Sequence, residues 1–213
     1  MSMSRVETKK YEGWTPRTST GAMVLEGRVS SISEIFDQGY KIREVEIVDY
    51  LLPNLQQEVL DVSLVQKQTD AGEKSRFKAL VVVGNLDGVF GIGTGKSKQV
   101  RDAIQKGVIE AKLNVFPILR GCGSWECGCG ELHSVPFKVS GKCGSVRVKL
   151  IPSPKGVGLV ASEVVKKIIA FTGIKDCWTK SVGSTKTVRS FAFATGDALK
   201  NTYRTLTPKD WVS

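Results

Sequence analysis

Five consecutive apolar residues, Ala79-Leu-Val-Val-Val83, are followed by Asn85-Leu-Asp-Gly88 and then by the apolar pair Val89-Phe90. An unbroken apolar run that meets a turn signal and resumes predicts a buried hairpin, with strands over residues 77–83 and 89–92. Upstream, residues 59–66 alternate well enough for a strand but place apolar side chains on both faces. After Ser97 the apolar positions Val100, Ile104, Val108 and Ala111 recur at helical spacing, so three strands are followed by one helix.

A second block begins with Val135, Phe137 and Val139, continues with Val146, Val148 and Leu150 around Arg147 and Lys149, and turns between them at 141–144. This pattern predicts a hairpin with one cationic face. A helix over 161–172 closed by Gly173, a strand over 177–182 and a last helix over 187–203 complete a two-layer sandwich. Nearer the start, Ser31-Ile-Ser-Glu34 is a capping box for a helix through Phe36, stopped at Gly39, and residues 44–52 form a second helix ended by Pro53. Residues 1–20 are polar, with Trp14-Thr-Pro-Arg17 as the only anchor, and are read as an arm ordered by a partner. The expected organisation is an arm with short helices over 1–53, a first domain over 54–118, a Cys/Gly-rich connector over 119–133 and a C-terminal α/β sandwich over 134–213.

The stretch from Gly91 to Lys96 reads as a glycine-punctuated basic loop running into a helix N-terminus, a pattern suited to phosphate. A Walker A loop ending at Lys96-Ser97 would need glycine where Phe90 stands. The dinucleotide fingerprint fails too, since Lys96 occupies the third glycine position. Polymeric phosphate fits better. The candidate RNA contacts are Asn85, Gly88, Gly91, Gly93, Gly95, Lys96, Lys98 and Arg101, with Arg76 and Lys78 on the strand behind, Arg120, the hairpin residues Lys142, Arg147 and Lys149, and Lys155 in the loop after it.

Charge supports this choice. The net charge of +10 is uneven: residues 1–70 hold 8 basic and 11 acidic residues, residues 71–133 hold 9 and 6, and residues 134–213 hold 14 and 4. A surplus concentrated in the last third attracts polyanions, and the lysines are spread over strands and loops, not gathered on a membrane-seeking helix. No apolar run spans a bilayer and no secretory leader is recognisable, which points to a soluble intracellular protein.

Cys122, Cys127, Cys129 and His133, the only histidine, fall within twelve residues. Three thiols and an imidazole make a zinc-ligand set, although Cys-x-Cys is tighter than most structural sites use. The competing reading is a glycine-rich RNA-contacting loop with reduced thiols, and the spacing favours that one. Disulfides are disfavoured in the cytosol, and five cysteines cannot all pair. A thiol nucleophile with His133 as base lacks any evident third residue to orient the ring, so no enzyme is expected. Cys143 and Cys177 are read as turn and core residues.

Several segments together resemble one family. Gly84-Asn85…Gly88…Gly91-Ile-Gly93-Thr-Gly95-Lys96, Ala111-Lys-Leu-Asn114, His133-Ser-Val-Pro136, Gly141-Lys-Cys-Gly-Ser-Val146, Leu150-Ile-Pro-Ser-Pro-Lys-Gly156 and Gly173-Ile-Lys-Asp-Cys-Trp178 are similar to the universal small-subunit ribosomal protein family number five, number two in eukaryotes. The Cys-rich loop resembles its archaeal branch. The resemblance implies an α+β chain: a double-stranded-RNA-binding-like sheet and helix, then an α/β sandwich with a left-handed βαβ crossover. It further implies a non-enzymatic place in cytoplasmic ribosomes, at the body/head junction of the small subunit. Its expected contacts are small-subunit rRNA, neighbours numbered four and eight, and mRNA near the entry channel, with an influence on decoding accuracy. No membrane, small-molecule substrate or required cofactor is expected, and the structural zinc stays a candidate on the Cys/His residues alone. The remaining alternative is a free-standing double-stranded-RNA-binding regulator.

Overall fold

The computed structural model describes residues 14–204. It divides after Asn54 into two compact units, and no helix among the described residues is long and apolar enough to cross a membrane. The first unit holds three short helices, α1 (Ser19–Leu25), α2 (Ile32–Asp37) and α3 (Val45–Leu51). Val24, Val29, Ile35 and Ile47 form its small core, with Trp14 packed against them. Ser31 caps α2 as expected, its hydroxyl accepting from the Glu34 N–H at 3.4 Å. The Glu34 carboxylate reaches back to the Ser30 N–H, one residue earlier than a standard capping box.

Helix α1 was not foreseen. The first thirteen residues of the expected arm lie outside the described part, but the rest is tied down. Glu44 accepts from the Trp14 indole N–H at 3.0 Å and from the backbone N–H groups of Arg17 and Thr18 at 2.9 and 2.7 Å. Desolvation pushes the Glu44 carboxyl up, but these bonds outweigh it and hold the group below its ordinary value.

The second unit contains two four-stranded sheets. The first has the order β1 (Gln56–Thr69), β2 (Gly72–Gly84), β3 (Val89–Ser97), β4 (Val115–Pro117), all antiparallel, with α4 (Val100–Leu113) between the last two strands in sequence. The second has β5 (Val139–Cys143), β6 (Val146–Pro152), β8 (Cys177–Val182) and β7 (Leu159–Val160) in that order. Strands β7 and β8 are parallel and joined through α5 (Glu163–Phe171), and α6 (Val188–Lys200) follows. The result is an α+β architecture.

The apolar run in β2 has a simple cause: both of its faces are buried. Ala79 and Val81 pack with Ala103 of α4 on one side, while Leu80 and Val82 join Phe90, Ile92 and Ile118 in a core shared with Val148, Leu150, Ile168, Ile169, Phe191 and Leu199. One continuous core therefore lies beneath both sheets.

Three sequence expectations are corrected. The glycine-rich segment 91–97 is strand β3, not a loop, and pairs along its whole length with β2. Gly141, Lys142 and Cys143 also belong to a strand, and the turn is Gly144-Ser145, where Gly144 has φ +61°. Residues 135–138 are not a strand. The His133 carbonyl accepts from the Lys175 and Asp176 N–H groups, and Ser134 is bridged to Gly121, so the backbone ahead of β5 bonds outside the β5/β6 ladder.

Candidate nucleic-acid interface and cysteine cluster

Gly91, Gly93 and Gly95 point their missing side chains at α4. A Cβ on Gly93 would lie 2.2 Å from the Ala111 nitrogen, and one on Gly95 would lie 1.9 Å from the Ala103 oxygen. These buried glycines let the helix backbone rest directly on the strand and leave no opening for a phosphate. Asn85 and Gly88 are likewise engaged internally. The Asn85 Oδ1 accepts from the Asp87 and Val89 N–H groups at 2.8 and 3.0 Å, and the Gly88 N–H donates to the Thr172 carbonyl. Arg120, only 17% exposed, pairs its guanidinium with Asp87 across the same turn. Packing and turn geometry thus give each of these six residues a structural role of its own.

The cations separate into two exposed groups. Lys96, Lys98 and Arg101 are exposed at the end of β3 and the start of α4, and Arg76 is exposed further out on the β1/β2 ribbon. Lys78 lies opposite Lys96 in the strand register. Its ammonium is held below the ordinary lysine value, first by desolvation and then by the positive charges of Arg189 and Lys96, with Glu110 opposing. Like charges gathered at this cost are stabilised when an anion arrives. Arg189, at the start of α6, went unrecognised in the sequence because nothing local marks it as a neighbour of Lys78.

The second group covers the outer face of the second sheet. Lys142 faces Arg147, Arg147 faces Val182, and Lys149 faces Lys180, so four cations share one surface with the partly exposed Trp178. The opposite face is closed by α6. There Gly141 has no room for a side chain, since a Cβ would lie 2.2 Å from the Ala194 oxygen. Lys155 stands elsewhere, paired with Glu131 at 2.7 Å, and that carboxylate raises its pKa.

The connector folds its four soft donors together. Sγ of Cys122, Cys127 and Cys129 and a ring nitrogen of His133 all lie within 4.8 Å of one another. Cys129 Sγ is 3.6 Å from Cys122 Sγ, and Cys127 Sγ is 3.8 Å from His133 Nε2. The other ring nitrogen, Nδ1, is 2.9 Å from Oδ2 of buried Asp176. The second oxygen of Asp176 accepts from the Gly156 and Gly158 N–H groups at 3.1 and 2.8 Å. The Cys127 thiol is lowered to about 6, chiefly by the Lys155 backbone N–H and then by hydrogen bonds from Cys129. Buried Cys177, by contrast, is raised to about 11 by desolvation. The third residue that sequence reading found missing beside His133 is therefore present as Asp176.

Comparison with known proteins places these features. The family model for the ribosomal protein S5 N-terminal domain matches residues 55–119, and that for the ribosomal protein S5 C-terminal domain matches residues 141–209. Small ribosomal subunit protein uS5 of Saccharolobus solfataricus is 56% identical over 207 residues, covering 97% of each chain. Its counterpart in Ignicoccus hospitalis is 58% identical over 205 residues, covering 96% of this chain and 97% of its own. The uS5 protein of Aeropyrum pernix is 56% identical over 211 residues, covering 99% of this chain and 97% of its own. The chain belongs to the ribosomal protein S5 family, in its archaeal form. Within the S5 frame, β1 to β4 and α4 fall in the N-terminal match, and the cationic sheet falls almost wholly in the C-terminal one. The cysteine cluster lies in neither match, since residues 120–140 separate them.

Proposed function

We propose that this chain is a structural constituent of the small ribosomal subunit, binding small-subunit rRNA at the body/head junction and supporting assembly and decoding accuracy. The observation that carries this reading is likeness over nearly the whole chain to proteins each named small ribosomal subunit protein uS5. The charge map supports it: Lys142, Arg147, Lys149 and Lys180 on one sheet, with Lys78, Lys96 and Arg189 on the neighbouring element, offer two phosphate-binding surfaces on a rigid frame. In this role the neighbours are the small-subunit proteins numbered four and eight and the mRNA near its entry channel, within cytoplasmic ribosomes. Such a role calls for no substrate turnover and no cofactor.

Sedimentation of cell extract through a salt-controlled gradient, probed for this chain, tests the assignment. The chain travels with small subunits if the proposal holds. A chain found only in slow fractions, bound to other duplex RNA, would instead be a free-standing regulator. Decoding is tested by Arg147→Glu and Lys149→Glu, which should raise stop-codon readthrough while small subunits still assemble. Normal fidelity in both variants would remove this face from any part in accuracy.

A further inference from the structure

We propose that Cys122, Cys127, Cys129 and His133 form a structural zinc site that clamps the connector between the two S5 domains, with Asp176 orienting the histidine. The spacing of the four donors suits a tetrahedral site. With Zn–S near 2.3 Å and Zn–N near 2.0 Å, tetrahedral edges are about 3.8 Å between sulfurs and about 3.5 Å between sulfur and nitrogen. Two of the six edges, 3.6 Å (Cys129 to Cys122) and 3.8 Å (Cys127 to His133 Nε2), lie within about 0.3 Å of these values, and no pair of donors is more than 4.8 Å apart. Three thiolates and one imidazole form a closed, soft donor set, which selects zinc over hard cations and leaves no open position for a substrate.

Asp176 supplies a second, independent observation. It occupies Nδ1 of His133 and so turns Nε2 towards the thiols, which is the carboxylate–histidine arrangement that metal-ligating histidines adopt. Its remaining oxygen is fixed by the backbone N–H groups of Gly156 and Gly158, so the ring is anchored to the loops around β7. Glycines make the close fold of the connector feasible. Gly130 has φ +68°, and a Cβ on Gly123 would fall 2.0 Å from the Pro136 oxygen.

Two rival chemistries use only part of this set. A nucleophilic Cys127–His133–Asp176 triad gives no reason for two more thiols against the same ring. A Cys122–Cys129 disulfide strands Cys127 and His133. Of the three, only a bound metal uses all four donors and the orienting carboxylate, and zinc is the ion such closed four-coordinate sites most commonly hold. On binding, the three thiols lose their protons to solvent and the neutral imidazole keeps its Nδ1 proton, directed at Asp176. The clamp then joins the Gly121–Ser134 bridge to the start of β8, fixing one S5 domain against the other within their common unit.

This inference rests on the cluster and not on the ribosomal role, so its test needs no ribosome. The untagged full-length chain is purified and its metal measured, then titrated with cobalt(II) after chelation. One equivalent of zinc per chain is expected, with the strong visible absorption of tetrahedral thiolate cobalt on substitution. The zinc should persist in Cys143→Ser and vanish in Cys129→Ser, whose exposed position keeps core collapse from explaining the loss. Asp176→Asn should weaken zinc binding about 10- to 100-fold in chelator competition. A parent that takes up neither metal, iron in place of zinc, three titratable thiols instead of five after chelation, or full zinc in both Cys127→Ser and Cys129→Ser would each overturn the proposal.

Discussion

Strand β3 and the cysteine connector both alternate glycine with chemistry-bearing residues, yet they use glycine for opposite purposes. In β3 the glycines remove side chains so that the backbone of α4 lies against the strand, and everything ligand-like about the segment is consumed by packing. In the connector the glycines free the chain to turn, and donors separated in sequence converge. The segment with the more orthodox motif is structural, and the one with the awkward spacing assembles a binding geometry. A glycine motif carries chemical meaning only once its neighbours in space are known.

The comparison breaks most easily at Gly93. We predict that Gly93→Val costs more than about 3 kcal/mol, because the new side chain meets the α4 backbone, which cannot retreat without leaving the sheet. Urea unfolding of the variant measures this. A variant as stable as the parent but weak in RNA binding would restore the phosphate-loop reading.

Next in size is Asp176→Ala, which leaves the N–H groups of Gly156 and Gly158 and the His133 ring without their acceptor. A loss of about 2–4 kcal/mol is expected, and it should appear in chelated as well as metal-loaded protein. A loss seen only in the loaded state would mean that the carboxylate serves the metal alone.

Smaller still are the charge reversals on the outer sheet. The double variant Arg147→Glu/Lys149→Glu should flatten the slope of log affinity against log salt by about 1.8, at about 0.9 per phosphate contact, with unfolding stability changed by no more than about 0.5 kcal/mol. An unchanged slope in an rRNA-fragment titration would show this face to be merely solvated. The smallest effect belongs to Arg120→Gln. Its partner Asp87 is largely exposed, so a stability loss below about 1 kcal/mol and an unaltered salt slope are expected. A slope reduced by about 0.9 would place Arg120 in the RNA-binding set.

Elements whose local and tertiary requirements agree were legible in advance. Strand β8 spans 177–182 as expected, and the helix stops at Gly39 and Gly173 have φ +69° and +79°. The β2 run was read as buried because its composition reports burial on both faces. Misreadings arose where a residue's role depends on a distant neighbour. Nothing near Gly93 announces Ala111, and Asp176 stands 43 positions from His133. Two-residue β7 and three-residue β4 are too short to carry a period, and α1 holds a glycine amid seven residues. The exposed cations were easier, since a charge in a strand with alternating burial must face solvent.

The core shared by the two sheets also bears on how the chain is made. When residues 55–119 have left the peptide exit tunnel, α4 can cover one face of the first sheet, but most partners of Leu80, Val82, Phe90 and Ile92 on the other face have yet to emerge. The last of those partners, Leu199, follows only after roughly 4–16 s at elongation rates of about 5–20 residues per second. Throughout that interval a nascent chain displays an apolar sheet face beside the machine that is building it. Arrest of synthesis between the two domains would therefore release a species suited to holdase capture or aggregation, while in the finished chain the two sheets of the second unit, sharing one core, are expected to unfold together.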